Sequence, residues 1–277
     1  MKNHTLLAVV GLLALSSEAY AETRKNDLAS AVAVRRRRLL VKQRFEVAPL
    51  FESTINADFR HIIGGGAKLE YHLTDKWSIG VVGVASTALD TKLVDKITPS
   101  LEMNVDDKTR EPSQKEFTNR LNTMPLHGAA YLSLTPWYGK LAAFGQAYVA
   151  FDFYFQAGVA FASLKSNCPG SICSDTHPGL PDPNDENSVP DGNPNNDPPL
   201  NSGSRVGLYL GGGIHVFLND FLALDMTVRD YAFTDNPSGA DFNADLFVSD
   251  ADNRFLHHLF FGVGISVMLP TTVKRTP

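Results

Sequence analysis

Charged side chains and histidines recur at every second position in several stretches of this 277-residue chain. In the stretch that begins at Arg60, the residues Lys68, Glu70 and His72 alternate with apolar ones. Alternate residues of a β-strand point to the same side of a sheet, so this spacing gathers acids, bases and cations on one face. The full predicted set is Arg44, Glu46, Arg60, Lys68, Glu70, His72, His127, Asp152, His215, Asp225 and Arg229. Such a face could form a network of ion pairs, line a path for protons or solutes, or hold a hydrolytic site.

A hydrolytic site would need a nucleophile, a general base and an orienting group in mutual contact. His127 and Ser133 share a predicted strand face, but their separation in the sequence places them roughly 20 Å apart. The chain also contains neither the G-x-S-x-G motif nor the H-E-x-x-H motif. We therefore predict no enzymatic activity, no catalytic residue and no cofactor.

Eight predicted strands must position these side chains. They span residues 43–52, 59–73, 76–89, 124–136, 150–164, 204–218, 221–234 and 254–269. In the last of them, "LHHLFFGVGISVML", the odd positions from Leu259 to Leu269 are large and apolar, whereas the even positions are mainly small or polar. Most of these strands are longer than the five or six residues usual in soluble sheets, and about 9–11 tilted residues cross a hydrocarbon layer. The pattern predicts one face toward lipid and the other toward a narrow interior.

The connections between the predicted strands alternate between short and long. "TDK" and "ND" are tight turns, whereas the segments near 90–123, 165–203 and 235–253 are long and polar. The connection "WYGKLAAFGQAYVA" is longer than a simple turn, and we place it on the short-turn side, with a helical turn as an option. A sheet that spans a bilayer must close on itself, because the hydrocarbon offers its edges no hydrogen bonds. We therefore predict an all-β fold, an eight-stranded antiparallel transmembrane β-barrel with short periplasmic turns and long extracellular loops. A soluble β-sandwich or a lipocalin-like barrel is the alternative.

Two glycine-rich hairpins repeat within this pattern. "GGGAKLEYHLTDKWSIGV" begins at Gly64, and "GGGIHVFLNDFLALDMTV" begins at Gly211. Gly64 and Gly66, like Gly211 and Gly213, fall on the predicted inward face. They either make room for bulkier inward side chains or mark bulges where the strands bend.

The N-terminal residues have the features of an export signal. Residues 1–21 combine Lys2, the apolar core "LLAVVGLLAL" and a small-residue cleavage site after Ala21. We divide the rest into a basic periplasmic arm at 22–42, a barrel at 43–269 and a C-terminal tail at 270–277. The arm contains "RRRR" and is either solvated or in contact with acidic phospholipid or a protein partner. Nucleic acid is excluded as a partner for an exported chain. The formal net charge of -5 is too small to point to any particular class of partner.

The predicted extracellular loop at 165–203 is rich in proline, asparagine and aspartate and has little apolar surface to bury. Cys168 and Cys173 stand close together in "CPGSIC", and in an exported protein we expect them to form a disulfide. We predict no metal site. If the loop bound calcium, the carboxylate ligands would be Asp182, Asp185, Asp191 and Asp197, but their spacing does not match an EF-hand, and we interpret the loop as solvated.

A resemblance to a known family lies in "RFEVAPLFE", in "FRHIIGGGAKLEYHLTDKWSIGVVG" and in "LHGAAYLSLTPWYGKLAAFGQAYVAFDFYFQAGVAF". These stretches resemble the outer-membrane β-barrel domain proteins of myxobacteria and their relatives. The resemblance covers residues 35–269 and is most specific in "TPWYGKLAAFG" and "FDFYFQAG". It implies an exported eight-stranded barrel without a catalytic motif, and some members of that group are linked to gliding-motility machinery. The chain departs from the usual barrel ending, since "PTTVKRTP" follows the last strand instead of a terminal aromatic residue.

An eight-stranded barrel leaves an interior only wide enough for side chains to fill. We therefore expect the polar face to be a lumen filled by ion pairs. The expected role is a structural anchor in the outer membrane, in contact with lipid and with envelope proteins through its loops and its basic arm. The alternative is a narrow channel that passes small solutes or ions.

Overall fold

The computed structural model describes residues 39–101, 114–143, 147–166, 202–240, 242, 250–271 and 274–275. The strands are β1 (Leu39–Leu40), β2 (Phe45–Thr54), β3 (Arg60–His72), β4 (Trp77–Asp90), β5 (Thr123–Ala143), β6 (Ala147–Lys165), β7 (Gly203–Phe217), β8 (Leu222–Asp235), β9 (Arg254–Leu269) and β10 (Lys274–Arg275). The helices in these residues are α1 (Lys92–Ile97) and α2 (Gln114–Arg120), with 3-10 turns at Thr98–Ser100 and Asp250–Asp252.

Strands β2 to β9 form a closed antiparallel barrel in which each strand pairs with the next along the chain. The barrel is closed by β2 and β9, for example between Val47 and Val267. The predicted fold class, a closed barrel of eight antiparallel strands, is therefore confirmed. Among the described residues, no helix is both long enough and apolar enough to cross a membrane.

The two faces of the barrel wall differ as the alternation predicts. In β9 the side chains of Phe261 and Ile265 point outward and are 45% and 49% exposed, whereas Phe260 and Ser266 point inward and are fully buried. The outer surface is therefore apolar, and the buried interior contains polar and charged residues. This distribution is the reverse of that in a soluble barrel or sandwich.

Two tight turns close one end of the barrel, which we call the turn end. In the turn after β3, the Thr74 hydroxyl accepts hydrogen bonds from the backbone amides of Lys76 and Trp77, at 3.2 and 2.9 Å. In the turn before β8, the Asn219 side chain accepts hydrogen bonds from the amides of Phe221 and Leu222, at 2.9 and 2.8 Å. At both turns, a short polar side chain thus accepts the hydrogen bonds of backbone amides that have no strand partner. We call the opposite end, from which the longer connections leave, the loop end.

Strands β5 and β6 are longer than predicted. The segment "WYGKLAAFGQAYVA" was expected to be a connection with an optional helical turn, but β5 continues to Ala143 and β6 begins at Ala147. The expectation of a helical turn in this segment is therefore wrong for its described residues. Aromatic residues favour strands and stabilise them by cross-strand packing. Here the rings of Trp137 and Phe155 pack edge to face at 6.0 Å. Pairing of β5 with β4 ends at Leu134, so the hairpin extends beyond its neighbour.

The connection between β4 and β5 contains more structure than the polar loop that was predicted. It includes α1 and α2, and the buried residues Val94, Phe117 and Leu121 form a small apolar cluster there. Phe59 and Phe117 pack edge to face at 6.2 Å, which attaches the cluster to the loop between β2 and β3. The connection therefore has a core of its own at the loop end.

A second, two-stranded sheet lies outside the barrel order. It pairs β1 with β10, with Leu39 opposite Arg275. These strands belong to the segments predicted as the N-terminal arm and the C-terminal tail. Residues 1–38, with the predicted signal, its cleavage site after Ala21 and the four arginines, lie outside the described residues.

Candidate functional site

Lys68 lies at the centre of a buried polar cluster near the turn end, which we call the turn-end cluster. Its Nζ lies 2.6 Å from Glu46 Oε1 and 2.7 Å from Asp225 Oδ2, and all three side chains are at most 1% exposed. Strands β3 and β8 are not neighbours in the barrel, so the bond from Lys68 to Asp225 crosses the lumen. The ammonium therefore ties opposite walls together. The turn-end cluster also contains Glu70, His72, Asp152, Tyr154 and His215.

His215 extends the turn-end cluster to β6. Its Nδ1 lies 2.8 Å from Asp152 Oδ1, and its Nε2 lies 3.3 Å from Glu46 Oε1. The ring stacks on that of Tyr154 at 4.5 Å, and the Tyr154 hydroxyl hydrogen-bonds Asp225. The imidazole thus links two carboxylates while an aromatic ring fixes its plane.

Within the turn-end cluster, Glu70 has a different set of partners. It accepts hydrogen bonds from the hydroxyls of Ser78 and Tyr131, the latter at 3.0 Å. Glu46 lies directly opposite Glu70 in the β2–β3 ladder and has His72 Nε2 at 3.1 Å from its own Oε2. Two carboxylates therefore face each other on adjacent strands.

Glu52 and Arg229 form a second group nearer the loop end. Arg229 Nη1 lies 2.9 Å from Glu52 Oε2, and His127 Nε2 hydrogen-bonds the other oxygen of Glu52. These side chains are at most 1% exposed. Glu52 was missed in the sequence, although it has the same parity as Arg44 and Glu46, so the alternation in β2 could have identified it.

A row of rings runs through the lumen beside the two polar groups. The polar groups themselves are joined through Thr227, whose hydroxyl accepts a hydrogen bond from Arg229 Nη2 at 3.4 Å and donates to Asp225 Oδ1 at 3.1 Å. Tyr131, Tyr209, Tyr231 and Phe260 lie in series, with centroid distances of 5.4, 5.3 and 5.5 Å between successive rings. His127 stacks on Phe260 at 4.9 Å. All five residues come from inward positions of β5, β7, β8 and β9, and their rings fill part of the lumen.

Two of the predicted network residues lie at the barrel ends instead. The Arg44 guanidinium donates hydrogen bonds to the carbonyls of Met268, Pro270 and Asp220, each at 3.1 Å, and thereby covers the turn end. Arg60 lies at the loop end, where its Nε is 3.0 Å from Asp90 Oδ1. Arg60 also donates to the carbonyls of Thr118 and Leu121, so it attaches the connection between β4 and β5 to the barrel.

The loop end of the lumen is covered by a polar contact. Asp235 accepts hydrogen bonds from Asn122 at 2.5 Å and from His258 at 3.1 Å, and all three side chains are mostly buried. Phe233 stacks on His258 at 4.3 Å. The predicted disulfide Cys168–Cys173 and the calcium-ligand candidates Asp182, Asp185, Asp191 and Asp197 lie outside the described residues.

Inward glycines accommodate the large inward side chains. A Cβ on Gly213 would lie 2.5 Å from the Tyr154 hydroxyl, and one on Gly80 would lie 2.7 Å from the Tyr131 ring. The β7 ladders run through Gly211 and Gly213 without a register shift. The structure therefore supports room for neighbouring side chains at Gly64, Gly211 and Gly213, whereas a Cβ on Gly66 would meet the backbone of Gly83 and Val84, and none of the four marks a bulge.

We expect Gly80→Val to lower the free energy of unfolding by about 1–3 kcal/mol, because the added atoms overlap the Tyr131 ring. The matched control is Gly83→Val on the same strand, since nothing lies within 4 Å of a Cβ there. That outward substitution should be neutral or slightly stabilising, because valine favours strands. Urea unfolding in lipid vesicles measures both. Equal losses in the two variants would contradict the packing of Tyr131 over Gly80.

An arrangement of described residues that resembles a catalytic triad does not have the required contacts. Ser86 Oγ lies 3.4 Å from His127 Nδ1, and His127 Nε2 contacts Glu52. However, the Ser86 hydroxyl donates its hydrogen bond to the Met124 carbonyl, and the His127 and Glu52 side chains have no exposed surface. Ser133, the other candidate nucleophile, has no hydrogen-bond partner and lies apart from His127 along β5. Within the described residues, this geometry provides no activated nucleophile.

The fold and the site together define a closed eight-stranded barrel with an apolar exterior and a packed, charged interior. No protein-family model matches the chain, and no curated protein matches its sequence. Among solved structures, the outer membrane protein OprG from Pseudomonas aeruginosa is similar at 11% identity and a TM-score of 0.38, over 82% of this chain and 96% of that chain. Ail of Yersinia pestis, in complex with the heparin analogue sucrose octasulfate, is similar at 10% identity and 0.35, over 82% and 99%. A de novo designed transmembrane β-barrel is similar at 9% identity and 0.33, over 84% and 100%. These similarities carry no inference about function.

Proposed function

We propose that this chain is an integral outer-membrane β-barrel whose lumen is closed by its own side chains and which acts as a structural anchor for envelope proteins. The observation that carries the proposal is the reversed distribution of residues, with large apolar side chains outside and charged ones inside. The exposed apolar residues include Phe51, Leu69, Ile79, Val81, Leu132, Phe155, Phe161, Leu208, Leu210, Phe261 and Ile265. A contiguous apolar surface that surrounds a closed barrel is stable in hydrocarbon and unstable in water.

The filled interior favours an anchor over a channel. The turn-end cluster, the row of rings and the Glu52–Arg229 group together fill the lumen, and hydrogen bonds through Thr227 link the two charged groups. Val41, Phe217, Ala223 and Met268 form an apolar cluster at the turn end, next to the Arg44 contacts. Side chains that fill the lumen in this way favour, for the described residues, a barrel that acts through the surfaces at its ends over one that conducts.

Those surfaces suggest how the anchor works. The loop end presents the connection between β4 and β5, which has a small apolar core and is attached through Arg60. We place this end outside the cell and the turns in the periplasm, with the basic arm available to lipid or to a periplasmic partner. The resemblance to the myxobacterial barrel proteins supports a partner in an envelope complex, and we include the gliding-motility machinery as the candidate complex. We propose no enzymatic activity, because Ser86 donates its hydrogen bond to the Met124 carbonyl and Ser133 lies apart from His127 along β5.

Two measurements on the purified protein test the proposal. The folded barrel should resist SDS at room temperature and migrate differently after boiling, because heat must break the closed strand ladder. In planar bilayers it should give no reproducible conductance steps. Reproducible conductance steps would support the narrow channel instead of the anchor. A protein that remains soluble without detergent and shows no heat shift would contradict the membrane-barrel proposal. Affinity capture after detergent extraction should then recover an envelope protein.

A further inference from the structure

We propose that the end of the β5–β6 hairpin is a foot that lies on the membrane surface at the turn end, with its aromatic face on lipid. This inference rests on the membrane barrel proposed above. β5 pairs with β4 only as far as Leu134, and β6 pairs with β7 only from Ala150. Among the described strands, residues 137–143 of β5 therefore pair only with residues 147–153 of β6. We call these two segments the hairpin foot.

A β-bulge at the start of the hairpin foot turns a tryptophan outward. Leu134 is opposite Phe155 and Trp137 is opposite Phe153, so β5 has one more residue than β6 between these pairs. Such a bulge changes which side chains of a strand share a face. The outward positions of β5 are even-numbered up to Leu134 and odd-numbered from Trp137, whose side chain is 62% exposed. Without the extra residue, the Trp137 side chain would be on the inward face.

Aromatic rings cover the outward face of the hairpin foot. The Trp137 ring packs edge to face on Phe155 at 6.0 Å, and the Phe151 ring packs in the same way on Phe153 at 5.6 Å. The Phe151 ring also lies across Gly139, where it occupies the place of a Cβ. Phe155 belongs to the exposed apolar surface of the barrel wall, so the hairpin foot continues that surface beyond the end of β4.

The opposite face of the hairpin foot is more polar. Tyr138 is opposite Asp152 and Lys140 is opposite Ala150, so these side chains share the inward face of the sheet. Lys140 is exposed there. The alternation of an apolar and a polar face thus continues beyond the last pair of β4 with β5, as expected for an amphipathic element at a membrane surface.

Two opposing constraints place the hairpin foot at the level of the lipid headgroups. Along its open edge, β5 has backbone N–H and C=O groups without a strand partner among the described residues, and hydrocarbon offers them no hydrogen bonds. A contiguous exposed aromatic patch, in contrast, marks contact with a membrane or a protein rather than with water. The boundary between headgroups and acyl chains meets both constraints, because water and headgroups bond the strand edge while the rings contact lipid. Tryptophan is enriched at that boundary for the same reason.

A second copy of the chain does not fit the open edge equally well. Two barrels in one membrane have the same orientation, so their β5 edges would run in the same direction and would have to pair in parallel. Parallel pairing is slightly less stable per residue, and both ladders that β5 forms in the barrel are antiparallel. Lipid is therefore the occupant that the direction of the strands favours.

Fluorescence quenching tests the proposal, because the chain has only two tryptophans. Trp77→Phe leaves Trp137 in the hairpin foot, and Trp137→Phe leaves Trp77 on the outward face at the start of β4, where it is 50% exposed. Both full-length variants are reconstituted in phosphatidylcholine vesicles that contain lipids brominated on the acyl chain near the headgroup. We expect brominated lipid to quench Trp137 to at least about half the extent of Trp77. Bromines near the methyl end of the chain should quench Trp137 less.

Lys140→Trp in the Trp77→Phe/Trp137→Phe background is the matched control, since it places the only tryptophan on the opposite face of the same strand. Iodide in the buffer should quench this tryptophan, and brominated lipid should quench it weakly. Each variant is first checked for the heat-dependent gel shift, so that quenching is measured on folded barrels.

Three results would overturn the hairpin foot. Quenching of Trp137 by iodide but not by lipid would place it in water, and protection from both quenchers would mean that a second copy covers it. Equal lipid quenching of Trp137 and of the tryptophan in Lys140→Trp would contradict the two-sided arrangement. In each case, lipid quenching of Trp77 would leave the membrane barrel in place, whereas loss of lipid quenching at both native tryptophans would reject the barrel and the hairpin foot together.

Discussion

Lys68→Met should lower the free energy of unfolding by about 3–5 kcal/mol, the cost of breaking a buried ion pair by removing one partner. The Lys68 ammonium bonds both Glu46 and Asp225, and none of the three side chains is more than 1% exposed. Methionine fills a similar volume but leaves the two carboxylates without their shared cation. Because the bond to Asp225 crosses the lumen, its loss should also loosen opposite walls of the barrel. Urea unfolding in lipid vesicles measures the effect.

The control for this substitution is Lys76→Met in the exposed turn between β3 and β4, which should change stability by less than about 0.5 kcal/mol. The double variant Lys68→Met/Asp225→Asn should recover part of the loss, since one of the orphaned charges is removed with the ammonium. A loss below about 1 kcal/mol in Lys68→Met would mean that water reaches the carboxylates. That result would favour the narrow channel over the filled lumen.

Val263→Arg should destabilise the membrane-inserted barrel by about 2–4 kcal/mol, the cost of arginine at the midplane of the lipid-facing surface. Val263 lies in the middle of β9 on the outward face, opposite Phe51 of β2, which is 55% exposed. In lipid vesicles, the fraction of the heat-shifted, folded band should fall, and the urea midpoint should decrease with it.

The matched control for Val263→Arg is a residue on the same face of β9 that lies nearer the membrane surface. Phe255 lies on the same outward face of β9, near its start at the loop end, and is 53% exposed. Arginine near the membrane interface costs only about 0–1 kcal/mol, so Phe255→Arg should insert almost normally. Equal effects at the two positions would contradict the proposed membrane span of β9, and full tolerance at both would show that this face does not contact lipid.

The strands were predictable because their signal is local. In β4, Trp77, Ile79, Val81 and Leu89 are each about half exposed, whereas Val84 on the other face is 1% exposed. The alternation of side chains is a property of each strand's own backbone and needs no knowledge of its neighbours. For the same reason, the inward positions of Glu46, Lys68 and Asp225 could be identified before their partners were known.

Features that depend on a neighbour were not predictable in the same way. The extension of β5 to Ala143 depends on its pairing with β6 beyond the end of β4. Trp137 and Tyr138 favour a strand, but Gly139 and the alanines that follow do not, so the segment alone did not show where the strand ends. The helices α1 and α2 form within a polar connection, where Phe117 and Leu121 find Phe59 on another loop. Neither contact is encoded within the segment that makes it.

The sequence by itself determined the number of barrel strands, the approximate ends of all of them except the β5–β6 hairpin, and which residues of each strand point inward. The tertiary structure decided which inward residues meet. Lys68 and Asp225 are 157 positions apart, and Glu52 and Arg229 are 177 apart. Their contacts depend on the stagger of each strand against the next and on the closure of β9 against β2. The stagger and the closure are collective properties of all eight strands, and they set the level of every side chain in the lumen. Alternation within a single strand carries no information about that level, so the ion pairs became visible only in the closed barrel.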